Sequence, residues 1–368
     1  MNLSIRRKNY IMDKQKTACW LSFVYLFDVL FFIMYDELRG DSMKRIDLHN
    51  HLDGSLPAKT ILELAVMSDV TLPAETVDEI IDYLSVSPDC TSLNEYLKKF
   101  DIPVSVLQTE ACLEKAVYDL MEDLSKCDVC YAEIRFAPGQ HLQRGLTQNQ
   151  VVDAAVRGLK NAVTHFPIHG QLILCCMRGA SYETNRETID TAKQFLGKGV
   201  CCADLAGAEA IFPTSDYKEL FAYAAEHQVP YVIHAGEADG PQSMWDAVSM
   251  GAKRLGHGIA AIHDEKLMEH LRDAHISLEV CVTSNVQTKG VASIAEHPIL
   301  KLLDFGIPVT VNTDNMTVSG THLNHEFGVI QSVLGMTTEQ EQKLTLNAIE
   351  SAFLNDEEKA ALKQDIFG

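Results

Sequence analysis

Two histidines one residue apart, His49 and His51, follow the apolar-basic run Lys44-Arg45-Ile46, and Asp53 stands two residues further on. On a strand, alternation sends both imidazoles to the same side, where they can reach one metal ion. Further polar segments stand just past apolar runs: Asp204-Leu205-Ala206-Gly207, His234-Ala235-Gly236-Glu237, Gly256-His257-Gly258, Thr283-Ser284-Asn285 and Asn312-Thr313-Asp314-Asn315. Imidazoles with one carboxylate suit zinc or a similar borderline divalent ion. The predicted ligands are His49, His51, His234 and Asp314, with one position left for water. Alternatively, Asp314 stands outside the ligand set and orients that water. Glu237, three residues past His234, is a carboxylate that partial desolvation would keep protonated near neutrality, as a general acid must be. Otherwise it is an ordinary first-turn acid of the next helix. His257, between two glycines, is placed to take a proton from the attacking water or to stabilise the hydroxide.

These residues need a scaffold that brings them to one place. From Met43 onward, short β-branched or apolar runs alternate with amphipathic helical patterns. The strand runs are Ile46–Leu48, Val129–Phe136, Gln171–Cys176, Val200–Leu205, Tyr231–His234, Arg254–His257, Ile276–Cys281 and Val309–Asn312. Between the first two lies a mostly polar helical stretch from Ala58 to about Phe100, broken by Pro73 and Pro88, which reads as several helices capping the end of the first strand. Strict alternation with no Pro/Ser-rich linker implies a parallel sheet. Eight units are the number that closes, and no G-x-G-x-x-G follows the first strand. The predicted fold is α/β: a single (β/α)8 TIM-type barrel with a helical cap after strand one. In such barrels chemistry sits at the C-terminal strand ends, where every polar segment above falls.

Composition narrows the partners. The 368-residue chain carries a formal net charge of −20, which argues against nucleic acid or an anionic membrane surface. Its cysteines fall mostly inside apolar runs (Cys175-Cys176, Cys201-Cys202, Cys281), as buried thiols in a reducing cytoplasm do, and Cys127-Asp-Val-Cys130 has no second pair to make a metal knuckle. Residues 1–42 differ in character: Arg6, Arg7 and Lys8 precede an apolar run from Ala18 to Met34 interrupted by Asp28. At the centre of a spanning helix that aspartate would cost roughly 2.5–3.5 kcal/mol. The expectation is that Met43 is the working start, that residues 1–42 are an extension outside the fold, and that no membrane is involved.

From Met43 to the C-terminus the chain resembles the bacterial adenosine deaminases of the metal-dependent amidohydrolase group. The resemblance rests on His49-Asn-His51-Leu-Asp53-Gly, Ser92-Leu-Asn-Glu-Tyr-Leu-Lys-Lys-Phe-Asp101, Asp204-Leu-Ala-Gly207, His234-Ala-Gly-Glu237, Gly256-His257-Gly258 and Asn312-Thr-Asp314, in that order. It implies one zinc per chain and a purine nucleoside as the small-molecule partner, adenosine and with it 2′-deoxyadenosine, converted to inosine and ammonia in purine salvage. It also implies that Glu237 protonates N1, that His257 and Asp314 orient and deprotonate the water, that His51 and Asp53 meet the ribose 5′-hydroxyl, and that the Gly207 backbone meets N3. Asn315 departs from the family pattern, which has a second aspartate there to meet N7. An Asn amide can donate to unprotonated N7, so the departure bears on purine range and turnover. The nearest rival is a deaminase of free adenine or another aminopurine, against which Asp53 and the cap segment stand. A non-catalytic nucleoside-binding barrel should lack the acid or a ligand, and this chain lacks neither. The zinc-dependent cytidine-type signature, H-x-E with P-C-x-x-C, is absent.

Overall fold

A computed structural model of the chain describes residues 43–368; the expectation for residues 1–42 falls outside them. Eight strands run in chain order: β1 (Arg45–His51), β2 (Val129–Phe136), β3 (His169–Met177), β4 (Val200–Ala206), β5 (Ile233–Ala235), β6 (Arg254–His257), β7 (Ser277–Val280) and β8 (Val309–Val311). They form two four-stranded arcs, β1-β2-β3-β4 and β5-β6-β7-β8, with every pairing parallel. Strands β2 and β4 are buried along their whole length, the near-continuous apolar reading expected of a parallel sheet covered by helices.

Each seam between the arcs rests on a single parallel bridge, Ala203 to Tyr231 and Asn50 to Asp314. At the first, Ala203 N donates to Pro230 O and Val232 N to Ala203 O, both at 2.9 Å. At the second, His51 N donates to Asp314 O at 2.7 Å and Asp314 N to His49 O at 2.8 Å. Side chains stitch this second seam further. Leu48 N donates to Asn312 Oδ1 at 2.9 Å, Asn50 Nδ2 to Thr313 Oγ1 at 2.9 Å, and Thr313 Oγ1 to Asp47 Oδ2 at 2.5 Å. The fold is therefore the expected (β/α)8 class, built as two halves.

The helices form where cap chemistry and an apolar stripe coincide. Glu110–Lys126 starts at Thr109, whose hydroxyl accepts from Cys112 N, and buries Leu113, Ala116, Val117, Leu120, Met121 and Leu124 on one face. Gln148–His165 starts with a capping box between Thr147 and Gln150. The two helices pack so closely that a Cβ on Gly158 would lie 2.2 Å from the Glu114 carbonyl oxygen. The cap after β1 resolves into Ala58–Ser68, Val77–Leu84, Leu93–Tyr96, a 3-10 turn Leu97–Phe100 and Asp101–Val106, with breaks near Pro73 and Pro88 as the sequence implies.

Two expectations shift. Strand five begins at Ile233 rather than Tyr231, because Pro230 offers no N–H and Tyr231 pairs only through its bridge. Thr283-Ser284-Asn285 does not end a strand: it lies within the helix Val282–Gln287, directly after β7. Every cysteine among the described residues is free, and burial pushes the Cys127 and Cys130 thiols up to about 11 and about 12. Among those residues no helix is long and apolar enough to cross a membrane.

Candidate active site

The predicted residues converge at the C-terminal mouth of the barrel. His51 Nε2 lies 3.3 Å from His234 Nε2 and 3.5 Å from Asp314 Oδ1, and His49 Nε2 lies 3.6 Å from the same oxygen. The opposite edges of two of these rings are already occupied. His49 Nδ1 donates to Glu279 Oε2 at 2.8 Å, and His234 Nδ1 to Asp204 Oδ2 at 3.0 Å. With Nδ1 carrying the proton, each Nε2 presents a lone pair to the centre. His49 Nε2 is buried and has no hydrogen-bond partner.

This arrangement fits a divalent cation. Zinc–nitrogen distances of about 2.0–2.1 Å in a tetrahedral shell put ligand atoms roughly 3.3–3.4 Å apart, close to the separations found. Inward-facing lone pairs repel one another unless something positive lies between them. Among the described residues three sets have ligand atoms within 4.8 Å of one another: His49, His51 and Asp314; His49, His234 and His257; and His257, Cys281 and Asp314. Burial, then the neighbouring cationic groups, push His49 and His257 well below the usual histidine range, and burial does the same to His51. Metal ligation by histidine needs that neutral form.

Glu237 and His257 face this centre from the strand-five and strand-six ends. Glu237 Oε2 lies 3.5 Å from His257 Nε2. Burial, then the nearby Asp314 and Glu209 carboxyls, raise Glu237 well above the ordinary carboxyl range. Asp314 is raised to about 6 by burial, against the Ser284 hydroxyl that donates to its Oδ2 at 2.5 Å. His257 Nδ1 meets Asn285 Nδ2 at 3.0 Å. The Ser284-Asn285 pair thus orients two predicted catalytic groups from the helix after β7. Both His257 and Asp314 sit in the left-handed backbone region, each at φ 60°.

Beside this cluster opens a cavity of about 240 Å³. Asp53, Gly207 and Asn315 line it, and the cap helices roof it with Leu93, Tyr96, Leu97 and Phe100. Asp53 Oδ1 and Asn315 Oδ1 are buried without partners, and burial raises the Asp53 carboxyl to about 6. Asn315 is pressed against Gly54, where a Cβ would fall 1.8 Å from its Oδ1, so residue 54 has room for nothing larger than glycine. Gly207 adopts φ 110°, which exposes its backbone edge to the cavity at no steric cost. Gln140, Cys175, Met177 and Arg178 complete the wall and were not anticipated from sequence.

Also unanticipated is the ionic layer beneath. Arg135, fully buried, donates to Asp204 Oδ2 at 3.0 Å, to Glu279 Oε2 at 2.8 Å and to Leu48 O at 2.6 Å. One guanidinium therefore ties together the two carboxylates that orient His234 and His49. Burial alone would raise Asp204; His234 and Arg135 outweigh it and hold the carboxyl well below the ordinary range. Arg254 pairs with the other oxygen of Glu279 and, at 2.5 Å, with Glu133 Oε2. The sequence signal was there: charges at Glu133, Arg135 and Glu279 inside otherwise apolar strands, which on a closed sheet must point at each other.

Comparison with known proteins agrees with this geometry. The family model for adenosine deaminase matches residues 44–367. An adenosine deaminase of Haemophilus ducreyi is 46% identical over 322 residues, covering 86% of this chain and 94% of that protein. One from Clostridium kluyveri is 40% identical over 315 residues, covering 85% and 90%. Among solved structures, an adenine deaminase from Arthrobacter aurescens superposes with a TM-score of 0.81 at 27% identity, covering 88% of this chain and 98% of the other. A barrel mouth with three converging imidazoles, a buried glutamic acid facing them and a match across nearly every described residue leads to one conclusion: the chain belongs to the adenosine deaminase family.

Proposed function

We propose that the protein is a zinc-dependent hydrolase of adenosine, and of 2′-deoxyadenosine, releasing inosine and ammonia in purine nucleoside salvage within a reducing cytoplasm. The observation that carries the reading is the facing pair: Nε2 lone pairs on one side of the mouth and the protonated Glu237 on the other. His49, His51, His234 and Asp314 would hold one zinc, which when bound makes water nucleophilic at neutral pH.

Each remaining role follows from the chain's own groups. Glu237 gives its proton to purine N1, which lets the ring surrender its aromaticity as C6 takes up oxygen. Asp314, raised by burial and steadied by Ser284, accepts the proton of the attacking water. His257 hydrogen-bonds the incoming oxygen from the other side. Asp314 passes the water's proton to the amino nitrogen, C6 loses ammonia, the proton left on the C6 oxygen returns to Glu237, and the balance is adenosine plus water to inosine plus ammonia. Gly207 would meet N3 and Asn315 N7, with His51 and Asp53 at the ribose 5′-hydroxyl. A carboxylate at that end disfavours a 5′-phosphate. The cation lining the cavity, Arg178, already directs its guanidinium to Phe212 O, Thr214 Oγ1 and His234 O. Both points support a nucleoside over a nucleotide.

The test is an absorbance assay with adenosine, adenine and AMP, before and after chelation. Adenosine is expected to turn over, chelation to abolish the activity, and added zinc to restore it. Turnover of adenine in preference to adenosine, or activity indifferent to chelation, would overturn the reading.

A further inference from the structure

Between the end of β5 and the helix Pro241–Ser249, the segment carrying Glu237 has no regular structure of its own. Four successive amides in it converge on a single side chain, that of Glu209. Gly236 N donates to Glu209 Oε1 at 2.7 Å; Glu237 N, Ala238 N and Asp239 N donate to Oε2 at 3.0, 2.8 and 3.2 Å. Ser243 Oγ adds a fifth donor to Oε1 at 2.5 Å and is itself held by Thr214 at 2.7 Å. Glu209 is 1% exposed and arrives from the segment after β4, across the seam between the two arcs. Backbone amides only donate, so both Glu209 oxygens act as acceptors. Gly240, at the N-cap of the next helix, supplies no side-chain cap, and Gly236 sits at φ 77°; besides Glu209, the turn is held by Asp239 Oδ1, which accepts from Gly240 N at 2.7 Å, and by Gly236 O, which accepts from Ala260 N at 3.1 Å.

We propose that Glu209 is a positioning residue for the acid: its five-donor clamp fixes the 236–239 turn and so holds the Glu237 carboxyl against the cavity. The inference rests on Glu237 serving as the proton donor. Without the clamp the backbone beneath that carboxyl would rest on the side-chain contacts to His257 and Thr288 and the two remaining turn bonds, and a misplacement of an ångström in such a group costs on the order of a hundredfold in rate. The clamp also explains how a loop residue attains the fixity normally given by a helix or strand. It joins the two arcs where the barrel itself has only one bridge.

Two substitutions test it. Glu209→Gln keeps the volume but turns one acceptor oxygen into a donor facing backbone N–H groups. Glu209→Asp keeps the acceptors and shortens the reach, so it carries the test if the first variant does not fold. For each, kcat for adenosine is expected to fall roughly a hundredfold with KM within about threefold and zinc content unchanged. Amide hydrogen exchange at residues 236–239 is expected to accelerate at least about tenfold while the strands elsewhere keep their protection. Unchanged exchange at those amides overturns the clamp, whatever the enzyme acts on. Faster exchange there with kcat within twofold overturns the positioning role, and exchange raised throughout the barrel reduces Glu209 to a stability residue. Should the wild-type protein not deaminate adenosine, the exchange measurement still decides the clamp separately from the proposed reaction.

Discussion

In the lower layer of the barrel the charged groups are matched: Arg135 to Asp204 and Glu279, Arg254 to Glu279 and Glu133, and Glu133 further to Tyr131 and the Phe353 amide. At the mouth the reverse holds. His49 Nε2, Asp53 Oδ1 and Asn315 Oδ1 are buried without partners, and His257 and Asp314 accept left-handed backbone at about 1–3 kcal/mol each. Both layers bury polar atoms, so burial alone does not distinguish site from scaffold. Charge pairing does: Arg135 Nε, Arg254 Nε and Glu279 Oε1 also lack a hydrogen-bond partner, but each belongs to a group locked in an ion pair. Buried polar atoms almost always have partners, and the unpartnered Asp53 and Asn315 oxygens that line the cavity mark where a ligand belongs.

The largest expected effect lies at the mouth. Glu237→Gln removes the proposed proton donor without removing bulk and should lower kcat by about 10²–10⁴, with a melting temperature no lower than that of the wild type. The sign of the pH effect follows from the raised carboxyl: wild-type activity is present while Glu237 is protonated and declines as pH rises through its elevated pKa. Steady-state kinetics across pH should show that basic limb in the wild type and lose it in the variant. Next comes the lower layer. Arg135→Met leaves Asp204 without its cationic partner and Glu279 with Arg254 alone, and removing one partner of a buried ionic group costs about 3–5 kcal/mol. Denaturant unfolding should register that loss, with metal affinity reduced by about 10–100-fold because the carboxylates that orient His49 and His234 lose the guanidinium that ties them together. A variant as stable as the wild type would break the distinction drawn here. The smallest effect is Asn315→Ala, which deletes one hydrogen bond to substrate worth about 0.5–1.5 kcal/mol, or a two- to tenfold rise in KM. An unchanged KM for adenosine would place Asn315 outside the binding site.

What was legible in the sequence is what local pattern encodes. Strand-helix alternation gave the barrel, and His49, His51, His234, Glu237, His257 and Asp314 stood at strand ends because chemistry in this fold is built there. Arg135, Glu133 and Glu279 were hidden because a charge in an apolar run reads as an interruption until the sheet closes and supplies its partner. Glu209 was hidden for another reason: four of its five partners are main-chain amides, which leave no side-chain signature at residues 236–239. Ser284 and Asn285 were noticed, but as a strand end. Their position in a helix became visible only with the backbone.

The seam between β1 and β8 has a consequence in time. Leu48 and Asn312, which meet there, are 264 positions apart, so closing that junction carries a loop entropy of about 5 kcal/mol before any contact repays it. His49 and His51 lie on one side of the junction, Asp314 on the other, and His234 belongs to the second arc. Neither arc alone owns the full donor set: the first supplies His49 and His51, the second His234 and Asp314. The four-residue set is complete only once the last strand has found the first, so a metal held by all four would favour the closed barrel over either half.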